Sequence, residues 1–229
     1  SLHSILAKDK DFAMIPCNIA DFWAVGVMAV GNNNALVLPY TTLETELQLI
    51  TDLMNPSVKV YRMDESLTGV TCLSNALMCN DSVGIANPSL SAEARKQLQD
   101  WLGLKKIYIT SLENYPLPGT FFGFNNFGML VPHDVSDEQV AALAAQVNLP
   151  VAKGTCASGS ADLGRHFVVN SEILLSSPKT TPIELRHAQR IFNIKDFHWR
   201  KNLVVNENDG TIVEEEFEDI DHALLDSIL

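Results

Sequence analysis

The sequence predicts an α/β fold made of one module that recurs along the chain. Three observations predict it: an Asn-containing turn before a short apolar run that ends at Pro, a helix with a capped start, and another apolar run after that helix. The prolines that end the first runs, Pro39, Pro88, Pro132 and Pro178, are 49, 44 and 46 residues apart. Modules of this length that mix strands with one helix can close into a ring, with strands inside and helices outside.

Each module opens with two strands joined by an Asn turn. Asn tolerates the left-handed backbone of a tight turn, and Pro ends the second strand because it cannot donate to the ladder. The clearest copies begin at Asn33 and Asn126, and related copies begin at Asn80 and Asn170. We expect the first strands at residues 26–30, 76–79, 120–124 and 165–169.

A helix follows each of the four prolines. Ser or Thr before a helix can accept hydrogen bonds from free amide groups of the first turn, and Pro182 stands where a missing amide costs nothing. Each predicted helix has one apolar stripe and one polar face. We expect helices at residues 43–54, 92–102, 137–147 and 182–192, and a third strand after the first three, at residues 58–61, 106–109 and 150–152.

The chain begins with part of a further copy. Leu2, Ile5 and Leu6 fit the end of a helix, and residues 13–17 fit the strand that follows it. The front half of this copy is not in the sequence. We therefore expect five modules with the first incomplete, residues 1–194 as one domain, and residues 195–229 as an acidic C-terminal extension.

Composition and charge exclude several classes of protein. The 229 residues are 46% hydrophobic and 19% charged, which is typical of a globular chain with a large core. A net charge of -12 disfavours a protein that works mainly by neutralising nucleic-acid phosphates. No apolar run approaches the length of a membrane-spanning helix. Residues 207–229 hold nine carboxylates and no Lys or Arg, which indicates a solvated tail or an arm for a basic partner, with a terminal helix from Ile220.

Cysteine usage predicts neither a metal site nor a disulfide framework. The four cysteines form no C-x-x-C pair, and no histidine cluster accompanies them. We expect free, buried thiols in a reducing compartment, and no cofactor or metal. No secretory signal or Arg-rich transit segment is visible. The cysteines are Cys17, Cys72, Cys79 and Cys156.

Several stretches, taken in order, resemble the translation initiation factor 6 family, the ribosome anti-association factors of eukaryotes and archaea. The stretches are residues 35–42, 79–81, 128–132, 150–155, 168–170, 180–185 and 224–229. The resemblance implies the pentein fold, a five-bladed pseudo-symmetric α/β propeller. It also implies binding to the large ribosomal subunit, where the factor blocks the small subunit. The implied partners are ribosomal protein uL14, with uL3 and the sarcin-ricin loop of rRNA nearby, and a release GTPase with its cofactor.

The resemblance places the partner surface at the mouths of the first strands of adjacent blades. The family commonly has Arg where this chain has Val27, and residues 67–75 are about three residues longer than in the family. We expect a monomer that acts in late large-subunit biogenesis, in the cytoplasm and the nucleus or nucleolus, or alternatively in a mitochondrion or plastid. The matching positions in this chain are Gly26, Val27, Asn75, Gly119, Thr120 and Phe121.

Two alternatives stay open at this point. Penteins include guanidine-modifying enzymes, whose chemistry needs a Cys nucleophile, a His base and two acidic residues. The enzyme candidates are Cys156, His166, His133, Asp134 and Asp162. In those enzymes the nucleophile lies near the C-terminal end of the domain, and this chain has no Cys after Cys156, so we expect no enzyme. The other alternative is a scaffold that has the same fold and does not bind ribosomes.

Overall fold

The computed structural model describes residues 16–67, 69–110, 112 and 114–194, together with two backbone strands in the C-terminal extension. The chain divides into two compact units. One unit is Met14–Lys195, and the other joins Ser1–Ala13 to Asp196–Leu229. The predicted N-terminal helix and the predicted terminal helix from Ile220 lie outside the described residues.

Four modules follow one another in the unit Met14–Lys195, and each begins with a single helical turn. The first module consists of α1 (Val25–Met28), β1 (Val30–Gly31), β2 (Ala35–Leu38), α2 (Glu44–Leu53) and β3 (Lys59–Arg62). The second consists of α3 (Leu73–Ala76), β4 (Leu77–Cys79), β5 (Val83–Ala86), α4 (Ala92–Leu102) and β6 (Lys106–Ile109). The third consists of α5 (Pro118–Phe121), β7 (Gly123–Phe124), β8 (Met129–Pro132), α6 (Asp137–Val147) and β9 (Val151–Gly154). The fourth consists of α7 (Leu163–His166), β10 (Phe167–Val169), β11 (Leu174–Ser176) and α8 (Pro182–Phe192).

The strands of each of the first three modules form a small mixed sheet. In the first, Val30 of β1 is opposite Val37 in an antiparallel pair, and Leu36 of β2 is opposite Val60 in a parallel pair. The second and third sheets repeat this order. Strands β10 and β11 form an antiparallel pair. The mixed α/β class that the sequence predicts is confirmed, and none of these sheets closes on itself within the described residues.

The four helices predicted after the prolines are confirmed, whereas the predicted first strands are wrong at their starts. Helices α4, α6 and α8 have the predicted bounds. The first residues of the predicted strands instead belong to the one-turn helices α1, α3, α5 and α7, with an overlap of only Ala76 in the second module and of two or three residues in the others. An apolar run of four or five residues fits a strand and a buried helical turn equally well, so the pattern could not separate them. Of the strand predicted at residues 13–17, Pro16 and Cys17 are described and lie in no strand.

Side-chain caps start three of the four long helices as the sequence predicts. Ser91 Oγ accepts a hydrogen bond from the amide of Ala94 at 3.0 Å, and Ser136 and Thr181 act in the same way. Helix α2 differs, because Thr42 donates its hydroxyl to the carbonyl of Pro39 at 2.8 Å. The carboxylate of Glu46 instead accepts the amide of Leu43 at 3.0 Å, so this helix starts with a carboxylate cap.

Each long helix from the second module onward fills the seam between its own sheet and the sheet of the preceding module. Leu98 and Leu102 of α4 belong to one buried cluster with Val37 of the first module. Phe192 of α8 likewise lies with Leu130 of the third module. Each fully buried side chain of this kind contributes ~1.5–3 kcal/mol. The four modules are therefore packed in chain order against one another.

The two described strands of the C-terminal extension pair with each other. Strands β12 (Asn202–Val205) and β13 (Ile212–Glu215) pair antiparallel, with Asn202 opposite Glu215. Spanning a membrane needs a longer and more apolar helix than any in the described residues.

Candidate docking surface

The four one-turn helices lie side by side. Helix α1 contacts α3, α3 contacts α5, and α5 contacts α7. We call the surface formed by these four helices the helical-turn face. All six predicted site residues lie on it and none of them is fully buried: Gly26, Val27, Asn75, Gly119, Thr120 and Phe121.

Glycine allows the turns of the helical-turn face to approach backbone to backbone. A Cβ atom on Gly119 would lie 1.9 Å from the carbonyl oxygen of Ser74. A Cβ atom on Gly164 would lie 2.1 Å from the carbonyl oxygen of Gly119. Gly26, by contrast, would meet no atom within 4 Å. The contacts of α5 with both neighbouring turns therefore require glycine, and this backbone packing makes the face rigid.

The third residues of the four turns form a row along the helical-turn face. Thr120 Oγ1 donates a hydrogen bond to Asn75 Oδ1 at 3.1 Å, which joins two of the predicted residues across neighbouring modules. Arg165 is exposed, and Asn75 and Thr120 are half-buried. The row of third residues is Val27, Asn75, Thr120 and Arg165. It runs from an apolar side chain through two neutral polar ones to a cation.

Val27 and Phe121 each pack into the core on one side and are accessible on the other. Val27 packs against the buried cluster that contains Met28, and Phe121 packs against the cluster of the third module. The ring of Phe121 also meets the ring of Tyr115 edge-on, with centroids 5.0 Å apart. Both residues remain half-exposed. They are therefore core side chains with one side accessible on the helical-turn face.

Sequence reasoning missed Arg165, which completes the row. The 45 residues that separate Asn75 from Thr120 also separate Thr120 from Arg165, so the repeat spacing was a usable signal. Arg165 Nη1 lies 3.3 Å from a carboxylate oxygen of Asp162. Because the arginine side chain is 67% exposed, this ion pair adds little stability and leaves the guanidinium accessible.

A second polar group lies beside the third and fourth turns. The Tyr115 hydroxyl donates a short hydrogen bond to the carboxylate of Asp134. Burial raises the pKa of Tyr115 to about 12, and the Asp134 and Asp162 carboxylates act in the same direction. The bond from Tyr115 lowers the pKa of Asp134. Asp134 is therefore an ionised carboxylate at neutral pH.

The opposite ends of the first strands carry the Asn turns, which we call the Asn-turn face. In each turn the side-chain oxygen of one Asn accepts two amides of its own turn. Asn125 Oδ1, for example, accepts from Phe127 at 2.9 Å and from Gly128 at 3.1 Å. The four Asn residues that act in this way are Asn32, Asn80, Asn125 and Asn170.

The side-chain amides of the same Asn residues join neighbouring modules. Asn32 Nδ2 donates to the carbonyl of Asn80 at 3.1 Å, and Asn80 Nδ2 donates to the carbonyl of Asn125 at 3.2 Å. Asn125 Nδ2 donates to the carbonyls of Asn170 and Phe192, each at 2.9 Å. Asn32, Asn80 and Asn125 thus each close their own turn and reach the next turn, which predicts a structural role for this face.

Comparisons with known proteins indicate the same family as the motifs in the sequence. The sequence profile of the eIF-6 family matches residues 1–191. The chain belongs to the eIF-6 family. The factor 6-1 of Arabidopsis thaliana is 29% identical over 181 residues, which cover 79% of this chain and 72% of the relative. The factor of Saccharomyces cerevisiae is 29% identical over 183 residues, covering 80% and 73%. That of Tetrahymena thermophila is 32% identical over 189 residues, covering 80% and 76%. All three are named eukaryotic translation initiation factor 6 or 6-1.

The cysteine that the enzyme alternative requires is poorly placed for chemistry in this eIF-6 family member. Cys156 is fully buried, and its sulfur donates to the carbonyls of Ser160 at 3.6 Å and Asp162 at 3.8 Å rather than to a histidine. Burial raises the pKa of Cys156 to about 11, and the carboxylates of Glu184 and Asp162 act in the same direction. A nucleophilic cysteine needs the opposite shift. Within the described residues no group of three or more His, Cys, Asp or Glu side chains could hold a metal ion.

Two glutamates of this eIF-6 chain hold the backbone turns that lead into α1 and α7. Glu184 accepts hydrogen bonds from Thr155 Oγ1 at 2.7 Å and from the amides of Thr181 and Gly159, each at 2.8 Å. Burial alone would raise the pKa of Glu184, but these donors lower it to about 2. Glu46 accepts the amides of Ala20 at 2.7 Å and Asp21 at 2.9 Å. Both carboxylates act as ionised anchors for the ends of the helical-turn face.

Proposed function

We propose that this chain binds the large ribosomal subunit through the helical-turn face and thereby blocks premature joining of the small subunit. The observation that carries the proposal is the continuous row of turns that presents Val27, Asn75, Thr120 and Arg165. Membership of the eIF-6 family supports a role in translation initiation. A rigid, solvent-facing row with few anchors suits protein docking, because a handful of residues supplies most of the binding energy of an interface.

The proposed partner at this face is uL14, with uL3 and the sarcin-ricin loop of rRNA nearby. The net charge of -12 favours a protein contact over extensive contact with rRNA phosphates. The chain then acts in late large-subunit biogenesis and is released by a GTPase with its cofactor. It works as a monomer in the cytoplasm and the nucleus or nucleolus, or alternatively on the ribosome of an organelle.

The proposed architecture is a pentein propeller of five blades, of which the first is incomplete in this chain. Two contacts support it: neighbouring turns lie side by side, and each later helix fills the seam between two modules. Both contacts repeat in chain order, as in a wheel of blades.

Sedimentation with purified large subunits tests the proposed function. The chain should co-sediment with large subunits, and an excess should reduce the amount of joined ribosomes when small subunits are added. Thr120→Arg places a bulky cation in the middle of the row and should weaken binding about tenfold, a loss of about 1.4 kcal/mol.

Thr51→Arg is the matched control for this test. Thr51 is an exposed threonine in the second half of α2, towards the end that leads to β3 beside the Asn turn, and it undergoes the same change of charge and size. This variant should bind like the unchanged chain. A chain that never co-sediments with large subunits would overturn the function, and equal binding by both variants would overturn the placement of the site.

A further inference from the structure

An aromatic pair stands at the first-module end of the helical-turn face. Trp23 is 79% exposed, which is the largest exposure of any large hydrophobic side chain in the described residues, and Phe22 is 44% exposed. Their ring centroids lie 5.8 Å apart. We call residues 19–23 the aromatic turn. Large exposed aromatic side chains of this kind are typical anchors of protein interfaces.

The backbone of the aromatic turn is fixed at several points. Ile19 and Phe22 exchange two hydrogen bonds of 3.1 Å, and the amide of Val25 donates to the carbonyl of Trp23 at 2.9 Å. Ala20 and Asp21 have left-handed φ values of 56° and 58°. Their amides are the two that Glu46 accepts, so the carboxylate offsets the cost of this conformation. The aromatic pair is therefore preorganised, and a partner would not have to order it on binding.

The aromatic turn is continuous with the proposed docking face. Only Ala24 separates Trp23 from α1, which carries Val27 of the row. A partner that covers the row from Arg165 to Val27 would reach the ring of Trp23 with its next residues.

The charges near the aromatic turn favour a cationic ligand. Residues 11–58 contain no Lys, Arg or His. The described part of this stretch has four carboxylates, Asp21, Glu44, Glu46 and Asp52. Glu44 pairs with Arg62 at 2.9 Å, Glu46 holds the turn, and Asp52 accepts a hydrogen bond from Gln48 within α2. This leaves the exposed Asp21, next to Phe22 in the chain, as the carboxylate of the aromatic turn. An aromatic face next to a carboxylate attracts a cation. Nucleic-acid bases could stack on the same ring, but their phosphates would meet uncompensated negative charge.

We propose that the aromatic turn binds an Arg or Lys side chain of a basic protein segment, with the cation over the Trp23 ring and beside the Asp21 carboxylate. The identity of the partner as a protein of the large subunit rests on the proposed function. The cation site itself rests on the exposed ring, the fixed turn and the absence of basic residues from residues 11–58.

The first experiment measures the affinity of the full chain for purified large subunits. Trp23→Ala should weaken binding about tenfold, Trp23→Phe about threefold because a smaller aromatic face remains, and Asp21→Asn about threefold with a reduced dependence on salt. Leu53→Ala is the control, because Leu53 is 53% exposed but lies at the end of α2, on the side of the Asn turns. This control should bind like the unchanged chain.

A second experiment examines the cation site without ribosomes. The chain has three tryptophans, and replacing Trp101 and Trp199 with Phe leaves Trp23 as the single fluorescent indole. Phe at 101 retains a ring against Tyr61, with which Trp101 now stacks at 4.7 Å. Titration with a nonapeptide of alternating Arg and Gly should change the Trp23 emission in a saturable way. The same peptide with Gln in place of Arg should leave the emission unchanged.

The outcomes separate this inference from the proposed function. If the unchanged chain binds subunits and Trp23→Ala binds equally well, the cation site is wrong and the function stands. If the chain binds no subunits, the proposed function fails, and the peptide titration still decides the cation site. A saturable emission change with oligouridylate, but not with the Arg peptide, would show that the Trp23 ring binds a nucleic-acid base rather than a cation. That result would overturn the proposal. Equal responses to the Arg and Gln peptides would also overturn it.

Discussion

The two ends of the first strands use their side chains in opposite ways. At the Asn-turn face, side chains bond to the turns themselves and to one another. Asn33 donates through its backbone amide and its side chain to the Asp81 carboxylate at 3.0 and 2.8 Å, and Asn126 donates to Asp81 and Ser171 at 2.6 and 3.0 Å. At the helical-turn face, the backbones make the close contacts between modules, and Gly119 and Gly164 permit them.

This difference indicates which end of the first strands can bind a partner. Polar groups that already satisfy one another gain little from a new contact, because a partner would have to replace existing hydrogen bonds. Where the backbones of neighbouring turns pack directly, the outward side chains are not needed for that packing. We therefore expect substitutions at the Asn-turn face to change stability and outward substitutions at the helical-turn face to change binding.

The largest expected effect is on the packing of the turns. Gly119→Ala places a methyl group 1.9 Å from the carbonyl oxygen of Ser74, so α3 and α5 must separate. We expect a loss of about 3 kcal/mol or more in the free energy of unfolding, measured by urea denaturation. Gly26→Ala is the control, because its methyl group meets no atom within 4 Å. Equal stability of the two variants would show that the turns are not packed as described.

A smaller loss in the free energy of unfolding is expected when the side-chain hydrogen bonds between neighbouring Asn turns are removed. Asn125 is 4% exposed and makes four hydrogen bonds through its side chain. Asn125→Ala leaves buried donors and acceptors without partners and should cost about 2–3 kcal/mol in the same denaturation experiment. Asn170→Ala is the comparison, since the Asn170 side chain closes only its own exposed turn. A cost at Asn170 as large as that at Asn125 would contradict the role assigned to the links between modules.

The anchor of the fourth-module turn should show a pH dependence. The pKa of Glu184 is about 2 in the folded chain, below its ordinary value of 4.5. Because the folded pKa is depressed, this group stabilises the fold fully above the unfolded pKa and less as the pH falls from about 5 towards 2. Glu184→Gln should cost about 1 kcal/mol at pH 7 and flatten the acid limb of stability against pH. Parallel acid limbs for the variant and the unchanged chain would argue against the anchor.

The smallest effect is expected at an exposed apolar side chain on the Asn-turn face. Phe127 is 41% exposed in the turn of the third module. Phe127→Ala should change the free energy of unfolding by about 0.5 kcal/mol or less and leave large-subunit affinity unchanged. Comparing Phe127→Ala with Trp23→Ala measures the effect of removing an exposed aromatic side chain at each end of the first strands. Loss of affinity at Phe127 and not at Trp23 would reverse the assignment of the two faces.

Much of the fold could be predicted from the sequence because its signals are local. Caps such as Ser91 and the apolar stripes gave the bounds of α4, α6 and α8. The one-turn helices were missed because a segment of four residues is too short to show a helical period. The run Asn32–Asn34 also hid which Asn closes the first turn, because all three contact the second module and only Asn32 accepts two amides of its own turn.

The candidate site was predicted in part. The family resemblance indicated residues on three of the four turns, and the structure brings Asn75 and Thr120 into contact. Arg165 could have been found by extending the repeat spacing to the fourth copy. The close approach at Gly119 could not, because it depends on backbone atoms of Ser74 that are far away in sequence. The ribosomal role of these residues stays a prediction.

The helices that fill the seams determine where the chain can be cut. A truncated protein that stops after β9 would keep every strand of the third module and lose α8, and with it the Phe192 ring that covers Leu130. The exposed remainder of that sheet would be prone to aggregate. A truncation after Ile194 keeps the covering helix. Fragments for crystallisation or binding studies should therefore end behind a helix that belongs to the following module.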